Sequence, residues 1–186
     1  MRFAVKVLVA AIAVCSFSGM LFAAESGFVA KLGLGSVTVD AESSESGYGS
    51  AKASDSGGTF ELYGGYRMPN LQFGLSYANI NCEGCDANYI MASGAYVYEG
   101  HDTIKPFIGL GLGLFNYKES DIFDENGFFG TVNFGVNAEF EHFFVGLEFR
   151  QHIFGGIDKD ESYSGVNINL KVEPSQTFLL NVGYKF

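Results

Sequence analysis

Apolar and polar residues alternate along most of the chain from residue 28 to Phe186, and no segment longer than a turn or two repeats with the period of a helix. A period of two is typical of β-strands, whose successive side chains point to opposite faces. The pattern is clearest between residues 107 and 115, where aliphatic side chains alternate with glycine or phenylalanine. Similar runs cover residues 28–34, 62–68, 71–77, 88–98, 131–140, 143–149 and 166–186. The pattern therefore predicts an all-β chain of eight strands.

The last run is either one strand or two. Its apolar residues occupy even positions from Val166 to Val172 and again from Phe178 to Phe186. The parity continues through Pro174 without a slip, and an even number of strands is typical of a closed bacterial barrel. We therefore predict one long eighth strand, bent near Pro174. A separate hairpin in the last connection is the alternative.

The connections between these strands alternate in length. Short turns are predicted at 69–70, 99–104 and 141–142, and longer polar loops at 41–57, 82–87, 119–127 and 155–165. If residue 68 pairs with 71, then 66 meets 73 and the apolar faces of both strands agree. The turn at 141–142 likewise places Glu139 opposite Phe144 and Glu148 opposite Gly135. Short turns at one end and longer loops at the other are typical of an up-and-down antiparallel barrel.

The face opposite the apolar stripe indicates what surrounds the barrel. The chain has 25 glycines, about twice the usual share, and many fall on this second face. Glycines weaken a water-exposed strand, but inside a narrow eight-stranded barrel they leave room for larger polar groups. The alternative is a soluble secreted sandwich or lipocalin-like barrel. We predict a lipid-facing apolar surface and an interior polar network of nearly balanced charge, formed by Lys31, Glu61, Arg67, Glu139, Glu148, Arg150 and Lys185.

The N-terminal segment predicts export. Arg2 and Lys6 precede an apolar run over residues 7–14, and Ala23 provides a small residue at a cleavage point. We expect residues 1–23 to be a cleaved signal peptide and residues 24–186 to be the barrel; an uncleaved anchor is the alternative. Cys15 lacks the small preceding residue that a lipoprotein signal requires. The net charge of −10, without clustered Lys or Arg, excludes nucleic acid as a partner.

Two cysteines and one histidine are candidates for chemistry. Cys82 and Cys85 form a C-x-x-C in a predicted loop, and in an oxidising compartment a disulfide between them is expected rather than a redox or metal site. His152 falls on the inward face, whereas His101 and His142 lie in predicted turns.

A hydrolase would need a serine and an acid grouped with His152 where lipid can reach them. The nearest serines in the sequence, Ser162 and Ser164, fall in or near a loop, and no Ser-His-Asp signature is present. We therefore predict no catalytic, cofactor-binding or metal site.

Acidic residues gather in the last two predicted loops. Their oxygens suit Ca²⁺ or Mg²⁺, but no EF-hand spacing is present, so a solvated surface is the expectation. The acidic residues are Asp121, Asp124, Glu125, Asp158, Asp160 and Glu161, and the amide Asn126 lies among them.

The last nine residues carry a resemblance to a known family. Residues 178–186 read FLLNVGYKF, with apolar side chains alternating up to a terminal aromatic: Phe178, Leu180, Val182, Tyr184 and Phe186. This resembles the C-terminal signal read by the outer-membrane insertion machinery, and the chain resembles the OmpA-like and opacity-type small outer-membrane β-barrels. The resemblance implies periplasmic termini, contact with outer-membrane lipid and lipopolysaccharide, and extracellular loops as contact elements. The periplasmic peptidoglycan-binding domain of longer members is not expected.

These observations combine into one hypothesis. The chain is expected to be a monomeric outer-membrane barrel with a structural or surface-interaction role through its acidic loops, toward a host or environmental surface ligand, and not an enzyme. The alternatives are a porin-like narrow channel for small solutes and a lipid A-modifying enzyme.

Overall fold

The computed structural model describes residues 26–45, 49–82, 85–119, 123–163 and 166–186, and these form eight antiparallel strands closed into a barrel. Each strand pairs with the next along the chain, and the first pairs with the last. The predicted fold is thus confirmed. The strands are β1 (Gly27–Glu45), β2 (Gly49–Arg67), β3 (Leu71–Cys82), β4 (Cys85–Val97), β5 (Ile104–Glu119), β6 (Phe123–Phe140), β7 (Phe143–Tyr163) and β8 (Val166–Lys185).

The registers of the tight hairpins agree with the alternation. The amide of Met68 donates to the carbonyl of Leu71 at 2.7 Å, and Tyr66 stands opposite Phe73. Across the turn at 141–142, residue 139 pairs with 144 and residue 148 with 135, as predicted. Across each of the two turns, outward apolar residues of one strand stand opposite outward apolar residues of the next. The apolar stripe therefore continues from one strand to its neighbour.

The eighth strand is continuous, which confirms the prediction of one long strand. Thr38 of β1 pairs with Gln176, but Val39 pairs with Pro174, so Ser175 is an extra residue in β8. This β-bulge accommodates Pro174, which has no N–H to donate to the ladder. No helix in the described part of the chain is long and apolar enough to span a membrane.

The long polar loops were wrongly predicted. Residues 41–57, 119–127 and 155–165 lie mainly in paired strands, with Ala41 opposite Ala53, for example. The connection at 82–87 is also short, because Cys82 and Cys85 are already paired. Ladder hydrogen bonds join backbone groups and need no apolar side chains, so polar strands continue as hairpins beyond the apolar band.

The barrel has two unlike ends. One, the terminal rim, holds the ends of the described chain together with the turns at 68–70, 98–103 and 141–142, and Val29 pairs there with Lys185. The opposite end, the far rim, holds the four hairpins β1–β2, β3–β4, β5–β6 and β7–β8. All side chains named below are placed relative to these two rims.

Large apolar side chains cover the outer wall. Leu110 and Leu114 are 64% and 65% exposed, although both lie within the regular strand β5. The parity of β4, which the sequence leaves uncertain, is settled because Tyr89 is buried and Ile90 is exposed. An exposed apolar surface of this extent marks a membrane or protein contact, in agreement with the lipid-facing wall that the sequence predicts.

Aromatic contacts collect at the terminal rim. The ring of Tyr184 makes edge contacts with Phe143 and Phe186 at centroid distances of 4.9 and 4.8 Å. Phe28 meets Tyr66 in the same way at 5.2 Å. Such rings are typical of the girdle where a membrane barrel passes from hydrocarbon to head groups.

Candidate functional site in the barrel interior

Arg150 is the centre of a buried ion-pair network. It projects from β7 into the barrel, and its Nε lies 2.7 Å from Oε1 of Glu148 on the same strand. Its guanidinium also donates hydrogen bonds from two nitrogens to the carboxylate of Glu61 on β2, with Nη2 2.7 Å from Oε1. The side chains of Arg150 and Glu61 are 2% and 0% exposed. One guanidinium inside the barrel therefore joins two carboxylates from β2 and β7, which are not neighbouring strands.

Further groups satisfy the remaining oxygens of these carboxylates. The Nζ of Lys31 lies 2.6 Å from Oε2 of Glu148, which also accepts a hydrogen bond of 3.2 Å from Asn181. The hydroxyl of Tyr89 donates to Glu61 at 2.8 Å. Two cations thus balance two carboxylates, as burial in a low-dielectric interior requires. We call this set the central network: Lys31, Glu61, Tyr89, Glu148, Arg150 and Asn181.

A second network closes the interior at the terminal rim. Arg67 forms ion pairs with Glu139 and, at 2.5 Å, with Glu99. Lys105 reaches the other oxygen of Glu99, also at 2.5 Å. We call these four residues the rim network. It ties the turn after β4 to β2, β5 and β6.

The rim network affects the ionisation of Glu99. Burial alone would raise the pKa of this carboxyl, but hydrogen bonds and charge from Lys105 and Arg67 outweigh burial and hold the pKa below its ordinary value of 4.5. A lowered pKa stabilises the folded state where the carboxylate is ionised, and this contribution is lost as the pH falls through the lowered pKa.

The seven predicted interior residues therefore divide into three groups. The structure brings Lys31, Glu61, Glu148 and Arg150 together in the central network, and it places Arg67 and Glu139 in the rim network. Lys185 points inward at the terminal rim beside Arg67 and Glu139, but no carboxylate described in the structure lies within ion-pair distance of it.

Apolar side chains fill the space between and beyond the two networks. Val29, Tyr63 and Phe144 form a small layer toward the terminal rim. Nine more inward-facing residues pack together toward the far rim. They are Val37, Val39, Ala78, Ile80, Ala87, Tyr89, Met91, Phe115 and Phe129. The interior therefore contains apolar layers beside the polar networks, and the narrow lumen is layered.

Glycines make room for rings as well as for polar groups. A Cβ on Gly113 would lie 2.5 Å from the ring of Phe129, and a Cβ on Gly33 would lie 2.8 Å from the amide oxygen of Asn181. The sequence predicts that glycines leave room for larger polar groups, and the structure adds inward rings to these groups. The phenylalanines on the inward face of the alternation were the sequence signal for the rings.

Four network residues escaped prediction for identifiable reasons. Asn181 faces inward by parity but carries no charge, and Tyr89 lies on β4, where both faces are mixed in sequence. Glu99 lies in a turn and Lys105 beside one, so no strand parity marks their direction. The proximity of these two residues to Arg67 arises from the pairing of distant strands.

His152 does not belong to a catalytic group in the described residues. Its Nε2 lies 3.2 Å from Oγ1 of Thr177, and its ring contacts that of Phe129 in a tilted arrangement with centroids 5.2 Å apart. Its Nδ1 has no hydrogen-bond partner there, so no carboxylate orients the imidazole. Ser162 lies on β7, and Ser164 falls outside the described residues.

The other two histidines lie in turns of the terminal rim and make contacts there. His101 accepts hydrogen bonds from the amides of Thr103 and Ile104, and the ring of His142 lies 5.7 Å from that of Tyr184. The disulfide between Cys82 and Cys85 stays a prediction. Among the described residues, no group of three or more His, Cys, Asp or Glu side chains is arranged to hold a metal ion.

The residues of the last two predicted acidic loops lie on strands wherever they are described. Asp124, Glu125 and Asn126 belong to β6, and Asp158, Asp160 and Glu161 belong to β7. Asp121 and the predicted signal peptide fall outside the described residues.

Comparisons with known proteins extend these observations. Neisserial surface protein A is 21% identical over 88% of this chain and 100% of its own, with a TM-score of 0.57. The N-terminal β-barrel domain of Pseudomonas aeruginosa OprF is 16% identical over 88% of this chain and 100% of its own, with a TM-score of 0.54. No curated protein sequence matches the chain significantly. A family model described as an outer membrane protein beta-barrel domain matches residues 7–186. The chain therefore belongs to this family of β-barrel proteins of the bacterial outer membrane.

Proposed function

We propose that this barrel is a closed, non-catalytic outer-membrane protein that serves as a structural and surface-interaction element. The observation that carries the proposal is the filled interior. The rim network, the apolar layer around Tyr63, the central network and the apolar cluster around Phe129 succeed one another along the lumen. Because eight strands enclose a space just wide enough for side chains, such a filling leaves no path for solutes.

The far-rim hairpins are the proposed contact elements. They are paired strands, and β6 and β7 carry the acidic residues Asp124, Glu125, Asp158, Asp160 and Glu161. A segment rich in carboxylates suits a ligand with cationic groups or a divalent ion bridge. The partner is a host or environmental surface ligand of that charge.

The remaining partners follow from the membrane setting. The apolar outer wall contacts outer-membrane lipid and lipopolysaccharide, and the aromatic end of β8 serves as the signal for the insertion machinery. Both termini then face the periplasm, with residues 1–23 removed as a signal peptide. The barrel acts as a monomer.

Lysine labelling on intact cells tests this orientation. We expect a membrane-impermeant amine reagent to modify Lys52 or Lys159 in the far-rim hairpins on intact cells, and to modify Lys185 at the terminal rim only after lysis. Peptide mass spectrometry locates the modified residues, and lysed cells provide the accessible control. Modification of Lys185 in preference to Lys159 on intact cells would reverse the orientation.

Planar-bilayer recording tests the closed interior. We expect the purified barrel to show no stable openings, because ion pairs and packed rings occupy the lumen. A channel of known conductance, inserted in the same membrane, verifies the recording. Reproducible unitary steps from the barrel would favour the solute-channel alternative.

Mass spectrometry of lipid A tests the catalytic alternative. Cells with and without the gene should have the same acyl pattern, because no described acid orients His152. A changed pattern would assign the protein a lipid-modifying activity.

A further inference from the structure

Four asparagines form a row on the outside of the barrel. Asn79 of β3 is paired with Asn88 of β4, Asn88 with Asn116 of β5, and Asn116 with Asn126 of β6. Their side chains share the outward parity and are partly or fully exposed. Across four neighbouring strands the row is about 14 Å wide, given a strand spacing of ~4.8 Å. We call these four residues the asparagine row.

Hydrogen bonds connect three members of the row. The amide nitrogen of Asn116 donates to Oδ1 of Asn126 at 3.0 Å, and that of Asn88 approaches Oδ1 of Asn116 at 3.5 Å. A carboxamide has two N–H donors and an oxygen that accepts two bonds. The bond to Asn116 uses one N–H of Asn88, so the second N–H and the oxygen of Asn88 can bond a further group.

The row marks the limit of the apolar outer wall. On each of its four strands, the outward residue two positions nearer the terminal rim is large and apolar. Three of these neighbours, Ile90, Leu114 and Phe128, are 55%, 65% and 50% exposed; the fourth is Tyr77. The row therefore lies where acyl chains end and lipid head groups begin.

Charge narrows the kind of head group that fits. Every lysine and arginine whose side chain the structure describes points into the barrel: Lys31, Arg67, Lys105, Arg150 and Lys185. The described outer wall thus offers no cation to a phosphate. Carboxamides suit groups that both donate and accept hydrogen bonds, such as sugar hydroxyls and amides.

We propose that the asparagine row binds the sugar head group of a glycolipid in the surrounding leaflet, with the acyl chains packed on the apolar side chains beside it. The row contacts hydroxyl and amide groups of the sugars rather than their phosphates. The proposal rests on the proposed function for its orientation, since the far rim must face the leaflet that contains glycolipid.

Lipid retention by the purified full-length barrel tests the proposal. Lipopolysaccharide and, separately, phosphatidylglycerol are added in detergent, and native mass spectrometry counts the molecules retained. We expect N88A/N116A to retain lipopolysaccharide about tenfold less than the unchanged chain, from the loss of two or more hydrogen bonds. Phosphatidylglycerol retention should not change, because that lipid has no sugar.

A matched control variant is available on the other side of the barrel. Ser36 of β1 and Gln176 of β8 are also exposed polar residues next to the apolar wall. S36A/Q176A should retain lipopolysaccharide within about twofold of the unchanged chain, since it leaves the row intact. Heat-modifiable migration in SDS verifies that each variant is folded. If N88A/N116A does not fold, the single variants N79A and N126A at the exposed ends of the row replace it, each with a smaller loss expected.

Three results would overturn the proposal: equal retention by the row variant and the unchanged chain, equal losses in both variants, or a parallel loss of phosphatidylglycerol. Retention is measured on purified protein and does not depend on orientation in the cell. A reversed orientation found by lysine labelling would therefore be distinguishable from a failure of the row to bind.

Discussion

Replacement of Arg150 by methionine should lower the free energy of unfolding of the barrel by about 3–5 kcal/mol, because it leaves buried charge without a partner. Arg150 bridges Glu61 and Glu148, and of these Glu61 has no other cation within ion-pair distance among the described residues. Methionine retains much of the side-chain volume, so the loss reports charge more than packing. Urea unfolding of the barrel folded into lipid vesicles, followed by circular dichroism, measures the change.

Two controls separate uncompensated charge from other causes. K185M changes an inward-facing lysine that has no described carboxylate partner, and it should cost less than about 1 kcal/mol. The double variant E61Q/R150M removes the orphaned carboxylate and should recover a large part of the loss, because a neutral amide costs less to bury than an ion. A loss below about 1 kcal/mol for R150M, or no recovery in the double variant, would contradict the assignment of Arg150 as the centre of the network.

Replacement of Gly35 by alanine should destabilise the barrel by about 2–3 kcal/mol, since the added methyl group has no space. A Cβ at this position would overlap the carbonyl oxygen of Phe178 and lie 2.8 Å from its carbonyl carbon. These are backbone atoms of β8, which cannot rotate away as a side chain does. The seam between β1 and β8, where the barrel closes, would have to shift.

Gly94 provides the matched control on the outer wall. A Cβ there would meet nothing within 4 Å, so G94A should leave stability unchanged or raise it by up to about 1 kcal/mol. Both variants are compared by urea unfolding in the same vesicles. Equal stability of G35A and G94A would show that the seam does not depend on a glycine at position 35.

Local sequence was sufficient for the strands and for most of their directions. In a strand the side-chain direction follows from parity alone, so the alternation around Leu110 and Leu147 identifies the outer wall without knowledge of distant contacts. The tight turn at 69–70 joins two runs of equal parity, and its register follows from that agreement. Parity failed at β4, where both faces carry apolar residues, and only burial of Tyr89 decided it.

The local sequence pattern did not predict the lengths of the hairpins. The stretch at 41–57 is polar and rich in glycine and serine, which is typical of loops. Its described residues form strand because the end of β1 pairs with the start of β2 through backbone hydrogen bonds, and composition does not record that pairing. The bulge at Ser175 likewise depends on the registers of β8 with two different neighbours.

The sequence by itself determined the class of fold, the lipid-facing wall and most of the charged residues that enter the interior, because each depends on the direction of a side chain from its own strand. Only the tertiary structure decided that Arg150 joins Glu61 to Glu148, that Glu99 and Lys105 close the terminal rim, and that apolar side chains share the lumen with the ion pairs. These contacts join residues as far apart as Glu61 and Arg150, and their energies depend on distances across a closed barrel. Closure of the barrel sets those distances, and the two-residue alternation in the sequence carries no information about them.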